Sequence, residues 1–233
     1  MTEPGVFWHA TYSSKNLTNG IIDKLLLCTN LDEVDQYGRT YLTRTIMSRP
    51  SDIIAKILIV APHLINIRDN NDNTALHYAA KYHSVGVTKL LLELDSRLIT
   101  YKNDEGNLPI HNAVAHNNLD SISLLVKAGS PLNEPNKYGY TPLHIVRGTT
   151  DMYPIVESIV RFGVNSFEVT QNDGYTPLMY HFMAFWQTAE RRAIILCLLH
   201  LGCDPTKYRE DCCKWNQTPI TWLKPDRACA AAL

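Results

Sequence analysis

Apolar residues recur along this chain in short runs separated by polar, turn-forming stretches. The clearest runs are Ile53-Ile54-Ala55-Lys56-Ile57-Leu58, Val87-Thr88-Lys89-Leu90-Leu91-Leu92, Ile122-Ser123-Leu124-Leu125-Val126, Ile155-Val156-Glu157-Ser158-Ile159-Val160 and Ile194-Ile195-Leu196-Cys197-Leu198-Leu199. Each repeats its apolar positions at the three- and four-residue spacing of a helix with one buried face. Three of them end at Gly129, Gly163 and Gly202, as a helix C-terminus prefers. Ahead of each run lies a second apolar segment, opened by a recurring tetrapeptide: Thr40-Tyr41-Leu42-Thr43, Thr74-Ala75-Leu76-His77, Leu108-Pro109-Ile110-His111, Thr141-Pro142-Leu143-His144 and Thr176-Pro177-Leu178-Met179, with a sixth copy at Thr218-Pro219-Ile220-Thr221. The copies begin at 40, 74, 108, 141, 176 and 218, at intervals of 34, 34, 33, 35 and 42.

The turns recur as well. Gly38, Gly106, Gly139 and Gly174 each stand two residues before the tetrapeptide, and Asp72 and Asn216 fill that place in the other copies. All are residue types that tolerate a left-handed backbone. Thr followed by Pro suits a helix start, since the hydroxyl can cap free N–H groups and Pro fits the first turn. The leucine two residues on points to the core. His77, His111 and His144 recur at one structural position, so they read as a hydrogen bond joining neighbouring turns, not as catalysts. One turn-helix-helix unit cannot bury its own apolar side; stacked units can.

This pattern resembles the ankyrin repeat, whose period is near 33 and whose first helix opens with T-P-L-H-x-A. Thr141-Pro142-Leu143-His144 matches the tetrapeptide outright, and Asn73-Thr74-Ala75-Leu76-His77-Tyr78-Ala79-Ala80 matches with one change. The resemblance implies an all-α fold: an ankyrin-repeat solenoid of stacked helix-turn-helix units with projecting finger loops. Residues 1–233 then form one repeat domain. Residues 1–34 are a degenerate capping repeat, with Phe7-Trp8-His9-Ala10 and Ile21 to Leu27 as its helices. Repeats follow at 35–68, 69–102, 103–135, 136–170 and 171–212, and 213–233 is a partial cap. The long fifth interval adds about four residues near Phe185-Trp186-Gln187-Thr188 and about three near Tyr208 to Asp211.

Composition narrows the function. Net charge is −1 with 19% charged residues, so no field favours nucleic acid or an anionic membrane. No run reaches the ~18 apolar residues of a membrane span. No secretory signal is visible at the start, and six irregularly spaced cysteines do not form a disulfide framework, so a reducing, cytoplasmic setting is expected. Glycine-rich phosphate loops and hydrolase or metalloprotease motifs are absent from the sequence, and no enzymatic activity or cofactor is expected. His200, Cys203, Cys212 and Cys213 are soft ligands close in sequence and raise a zinc alternative. Adjacent cysteines ligate one metal awkwardly, and Cys203 falls on a small-residue slot of the repeat, so buried and free thiols are the favoured reading.

In ankyrin proteins partners dock on the fingers and on the face lined by the first helices. Carried onto this chain, the implied protein-binding positions are Tyr37, Arg39, Asn71, Asn73, Glu105, Asn107, Tyr138, Tyr140, Asp173, Tyr175 and Trp215 on the fingers, with Tyr82, His116 and Trp186 on the inner helices. Aromatics are frequent among them, as in interface hot spots. The expected function is a scaffold that binds a partner protein or peptide, monomeric on its own. An alternative is the recruiting part of a larger enzyme or ubiquitin-ligase assembly. The drifted motifs resemble ankyrin proteins that intracellular bacteria or large DNA viruses deploy as effectors in host cells.

Overall fold

The computed structural model describes residues 30–48, 51–82, 84–148, 152–163, 167, 172, 174–183 and 189–204. The expected helices of residues 1–29, the inserted segment at 185–188 and the final partial repeat lie outside the described residues. The chain divides into two compact units, Met1–Pro131 and Leu132–Leu233. Among the described residues it is helical, with no strand.

In the first unit, inner helices α1 (Tyr41–Ser48), α3 (Ala75–Lys81) and α5 (Pro109–Ala115) alternate with outer helices α2 (Ser51–Val60), α4 (Val85–Leu94) and α6 (Leu119–Lys127). Inner helices pack on inner and outer on outer. The inner helices bury the same register: Leu42 and Ile46, Leu76 and Ala80, Ile110 and Val114 are all inaccessible to solvent. Burying each of the Leu, Ile and Val side chains contributes about 1.5–3 kcal/mol, and the Ala80 methyl less. A buried polar seam ties the layers. The Asn118 amide donates to the Ala80 carbonyl (2.7 Å), and Thr88 and Ser121 hydroxyls meet at 3.1 Å across α4 and α6.

Two helix ends differ from the glycine-terminated pattern. After α2 and α4 the chain has no glycine and winds instead into 3-10 turns, Pro62–Asn66 and Ser96–Thr100. These bury Leu64 and Ile65, and Leu98 and Ile99. Gly129 and Gly202, by contrast, adopt φ of 82° and 97° to end their helices. In the second unit α7 (Met152–Phe162) and α8 (Pro177–Met183) each pack on α9 (Ala189–His200).

The fourth tetrapeptide corrects an expectation. Thr141-Pro142-Leu143-His144 matches the motif best, yet it forms a single turn and no helix. The continuation Ile145-Val146-Arg147-Gly148 is rich in weak helix formers. A Cβ on Gly148 would lie 2.5 Å from the Glu190 carbonyl oxygen at the start of α9, so this backbone is approached too closely for a side chain. The Leu143 carbonyl that a helix would have used is met by His181 Nε2 at 3.2 Å.

The motif histidines join successive turns. His77 Nε2 donates to the Asn107 carbonyl of the next finger (3.0 Å), while Nδ1 accepts from the Thr74 N–H (3.2 Å). His144 does the same with Tyr175 (3.0 Å) and Thr141 (3.2 Å). His111 Nδ1 accepts from the Leu108 N–H at 3.2 Å. A carbonyl on Nε2 and an N–H on Nδ1 require the neutral Nε2–H tautomer. At Thr74 the hydroxyl and the His77 ring form a reciprocal capping box at the helix start, and the hydroxyl also lies 3.0 Å from His77 Nδ1. Where the histidine is replaced, by Thr43 or Met179, the threonine hydroxyl still accepts the helix N–H.

Burial pulls the His77 imidazole down from 6.5 to about 4, against the raising effect of its bond to Asn107. The unfolded chain therefore takes up a proton that the folded chain refuses. Stability present above pH 6.5 is lost as pH falls from there towards about 4. Thermal melts across pH 7 to 4 should show this fall, and a flat profile would contradict it. At pH 7 His77→Ala strands two backbone groups and should cost about 1–3 kcal/mol.

Candidate protein-interaction surface

Four fingers are each built on one side chain. Asp35 Oδ1 accepts from the N–H groups of Tyr37 and Arg39, both at 2.9 Å. Asp69 serves Asn71 and Asn73, Asn103 serves Glu105 and Asn107, and Asn136 serves Tyr138 and Tyr140 in the same way. The backbone closes each loop, with Asn103 N–H donating to the Asn107 carbonyl at 3.0 Å. The left-handed residues are those expected: Gly38, Asp72, Gly106, Gly139 and Gly174 have φ between 58° and 81°. At Gly38 a side chain would also strike Asn70 of the next finger. The Asp/Asn five residues before the tetrapeptide was missed in the sequence, although Asp35, Asp69, Asn103 and Asn136 recur there. In the fifth and sixth copies Gln171 and Cys213 take that place.

Neighbouring fingers are bonded. The Asn70 N–H donates to the Tyr37 carbonyl and the Asp104 N–H to the Asn71 carbonyl, both at 2.9 Å. Asn103 Nδ2 donates to Asn73 Oδ1 at 2.9 Å. In the second unit Asn172 Nδ2 donates to the Lys137 carbonyl at 3.0 Å.

This frame sorts the expected contact residues. Asn73 is held by Asp69 and Asn103, and Asn107 Nδ2 donates to Glu105. Arg39 pairs with Asp35 at 2.7 Å, and its guanidinium carbon lies 4.6 Å from the Tyr37 ring centre. Hydrogen bonding to Asp35 raises the Arg39 pKa, and hydrogen bonds from Arg39 and Tyr37 outweigh desolvation to lower that of Asp35. The fingertips are open: Tyr37 and Tyr138 are 54% and 58% exposed, and Asn71 and Glu105 are exposed. Tyr82 is half-buried and His116 exposed on the inner helices. Tyr140 and Tyr175 are half-buried. Asp173, Trp186 and Trp215 lie outside the described residues.

A further row was missed. Four residues after the start of each tetrapeptide, Arg44, Tyr78, Asn112 and Tyr180 are all partly exposed on the inner helices. They had been absorbed into the motif as its variable letter. The Tyr78 ring lies parallel to Tyr82, centroids 6.3 Å apart, and its hydroxyl donates to Asp69. Burial and that bond push the Tyr78 hydroxyl well above its ordinary pKa. In the second unit Tyr138, Tyr140 and Tyr180 form a chain of rings, with centroids 6.3 Å and 5.1 Å apart.

His200 is exposed and Cys203 is buried; Cys212 and Cys213 lie outside the described residues. Among the described residues no group of His, Cys, Asp and Glu is placed to hold a metal. Burial raises the Cys197 and Cys203 thiols to about 11, which disfavours the thiolate. No described helix is long and apolar enough to cross a membrane.

Helix pairs stacked in register, with tethered fingers and a recurring outward row, define a helix-turn-helix repeat protein. Two family models of ankyrin repeats match, one at residues 9–101 and one at 91–146. The solved structure of EF0377, an ankyrin repeat protein, superposes with a TM-score of 0.69 over 85% of this chain and 98% of its own, at 19% identity. This chain belongs to the ankyrin repeat family. RelA-associated inhibitor of Mus musculus is 34% identical over 76 residues, covering 33% of this chain and 9% of the inhibitor. An ankyrin repeat protein of Acanthamoeba polyphaga mimivirus is 25% identical over 174 residues, covering 63% of this chain and 23% of the viral protein. The chain thus spans from 9% to 26% of the length of the curated relatives it matches. The family is generally a non-enzymatic module for protein–protein interaction.

Asn103→Ala removes the acceptor for two finger N–H groups and the donor to Asn73. It should destabilise the chain by about 1–3 kcal/mol in urea denaturation, whereas Asn103→Asp keeps the acceptor and most of the stability. Equal losses from both substitutions would show that Asn103 does not hold the finger.

Proposed function

We propose that this chain is a non-catalytic binding module that holds a partner protein or peptide along its fingertips and inner-helix face. The observation that carries the reading is register. Tyr82 and His116 are left outward at equivalent places while their helices bury the intervening positions. The contact set is Tyr37, Asn71, Glu105, Tyr138, Tyr140 and Tyr175 on the fingers and Tyr82 and His116 on the helices, to which Tyr78, Asn112 and Tyr180 are added. Arg39, Asn73 and Asn107 belong to it while also serving the frame. Asp173, Trp186 and Trp215 join it on sequence register alone.

A second reading makes these repeats the recruiting part of a larger enzyme or ligase assembly. It draws on the small fraction of each curated relative that the chain spans. Drift at Thr43, Met179 and Thr221, with a viral relative among the matches, supports placing the partner in a host cell's cytoplasm; a fluorescent fusion confined to another compartment would remove that placement.

The test is the double substitution Tyr138→Ala and Tyr140→Ala, compared with the parent chain in affinity capture and then in titration of the captured partner. Affinity should fall by about 2 kcal/mol with the melting temperature nearly unchanged. An unfolded variant, or undiminished affinity, would refute the assignment of these tyrosines.

A further inference from the structure

The inner helices of the first unit are unevenly charged. α1, α3 and α5 carry Arg44 and Lys81 and no carboxylate. Arg44 reaches Asp35 of the preceding finger at 3.9 Å. Elsewhere in the unit Arg39 pairs with Asp35 (2.7 Å), Arg97 with Asp95 (2.8 Å) and Lys89 with Glu93 (3.8 Å). Lys81, in the last turn of α3, is half-buried and has no ion pair among the described residues. Its ammonium lies 5.5 Å from the centre of the Tyr82 ring.

The rings beside it are held in place. Tyr78 and Tyr82 lie within 4° of parallel, centroids 6.3 Å apart, and the Tyr78 hydroxyl donates to Asp69. Both are half-buried, so each keeps part of its surface in water. A segment that settles on Tyr82 displaces that water and the water around the ammonium. A ring face satisfies an ammonium only in part, and covering a charge without an acceptor is costly. Asp69 is already committed: it accepts from the N–H groups of Asn71 and Asn73, from the Asn73 amide and from the Tyr78 hydroxyl. The acceptor must therefore arrive with the partner, and a carboxylate makes the strongest such bond. The exposed carboxylates of the neighbouring fingers, Asp72, Asp104 and Glu105, oppose a polyanion such as a nucleic acid, whereas a single carboxylate on a peptide meets far less repulsion.

We infer that Lys81 and the Tyr78–Tyr82 pair bind a peptide segment of the partner in which Asp or Glu stands next to an aromatic or aliphatic residue, the carboxylate meeting Lys81 and the apolar side chain covering Tyr82. This rests on the inner-face reading above and specifies the partner's chemistry.

A random displayed peptide library selected on the full chain tests it, each selected peptide being sequenced and titrated. Peptides should be enriched in Asp or Glu adjacent to Phe, Tyr, Trp or Leu. Their affinity should fall about tenfold on Tyr82→Ala. It should fall about fivefold on Lys81→Gln, and decline with added salt. Lys81→Glu should reject these peptides, and replacing their acidic residue by Lys should restore binding to that variant, which also shows it to be folded. Circular dichroism checks the fold of the other two variants. Peptides that need Tyr82 but are neutral or basic, and bind Lys81→Gln unchanged, overturn the inference while leaving the inner-face reading standing. Peptides indifferent to Tyr82 overturn both. A fluorescent oligouridylate that binds the parent chain as tightly as the acidic peptides, and is weakened by the same substitutions, would also overturn it.

Discussion

The structure depends on a buried imidazole that must stay neutral. In α3 the ring of His77 accepts from the backbone at its own helix start and donates to the finger that follows, spanning 30 residues of sequence. This geometry fixes three things together: where the inner helix begins, where the next finger sits, and which faces of Tyr78 and Tyr82 remain outward. A hydrogen bond between two exposed groups would contribute little here. Between buried backbone groups, losing it leaves N–H and C=O without water, and that asymmetry is what makes the ring decisive.

Much of this was legible in the chain itself. Period, helix pairs, left-handed turn residues and the bridging role of the histidines follow from spacing and residue type. Three features were not. The Asp or Asn under each finger recurs as faithfully as the glycine, but its role appears only when Asp35 and Asn103 are seen accepting two N–H groups each. The outward row of Tyr78 and Tyr180 was hidden because it fills a variable letter inside a recognised motif. The fourth inner helix fails although its opening is the best match, because Ile145, Val146 and Gly148 propagate a helix poorly and Gly148 lies against Glu190. Local signals mark where a helix can begin; tertiary contacts decide whether it continues.

The exceptions cluster in the second unit. Met179 occupies the histidine slot, and His181 lies two residues further on, where Ala79 and Ala113 stand in other copies. From there it satisfies Leu143, the carbonyl that the shortened helix leaves over. One substitution thus compensates another across 38 residues. The same unit carries the chain of rings Tyr138, Tyr140 and Tyr180.

Nitrogen NMR of the imidazole rings bears most directly on the central interaction. With the full chain labelled in histidine, His77 and His144 should each show a protonated Nε2 and a bare, hydrogen-bonded Nδ1 at pH 7.5, and the His77 signals should stay unchanged down to pH 5.5. Rings that average between tautomers, or that take up a proton near pH 6.5 as in a free peptide, would contradict the account.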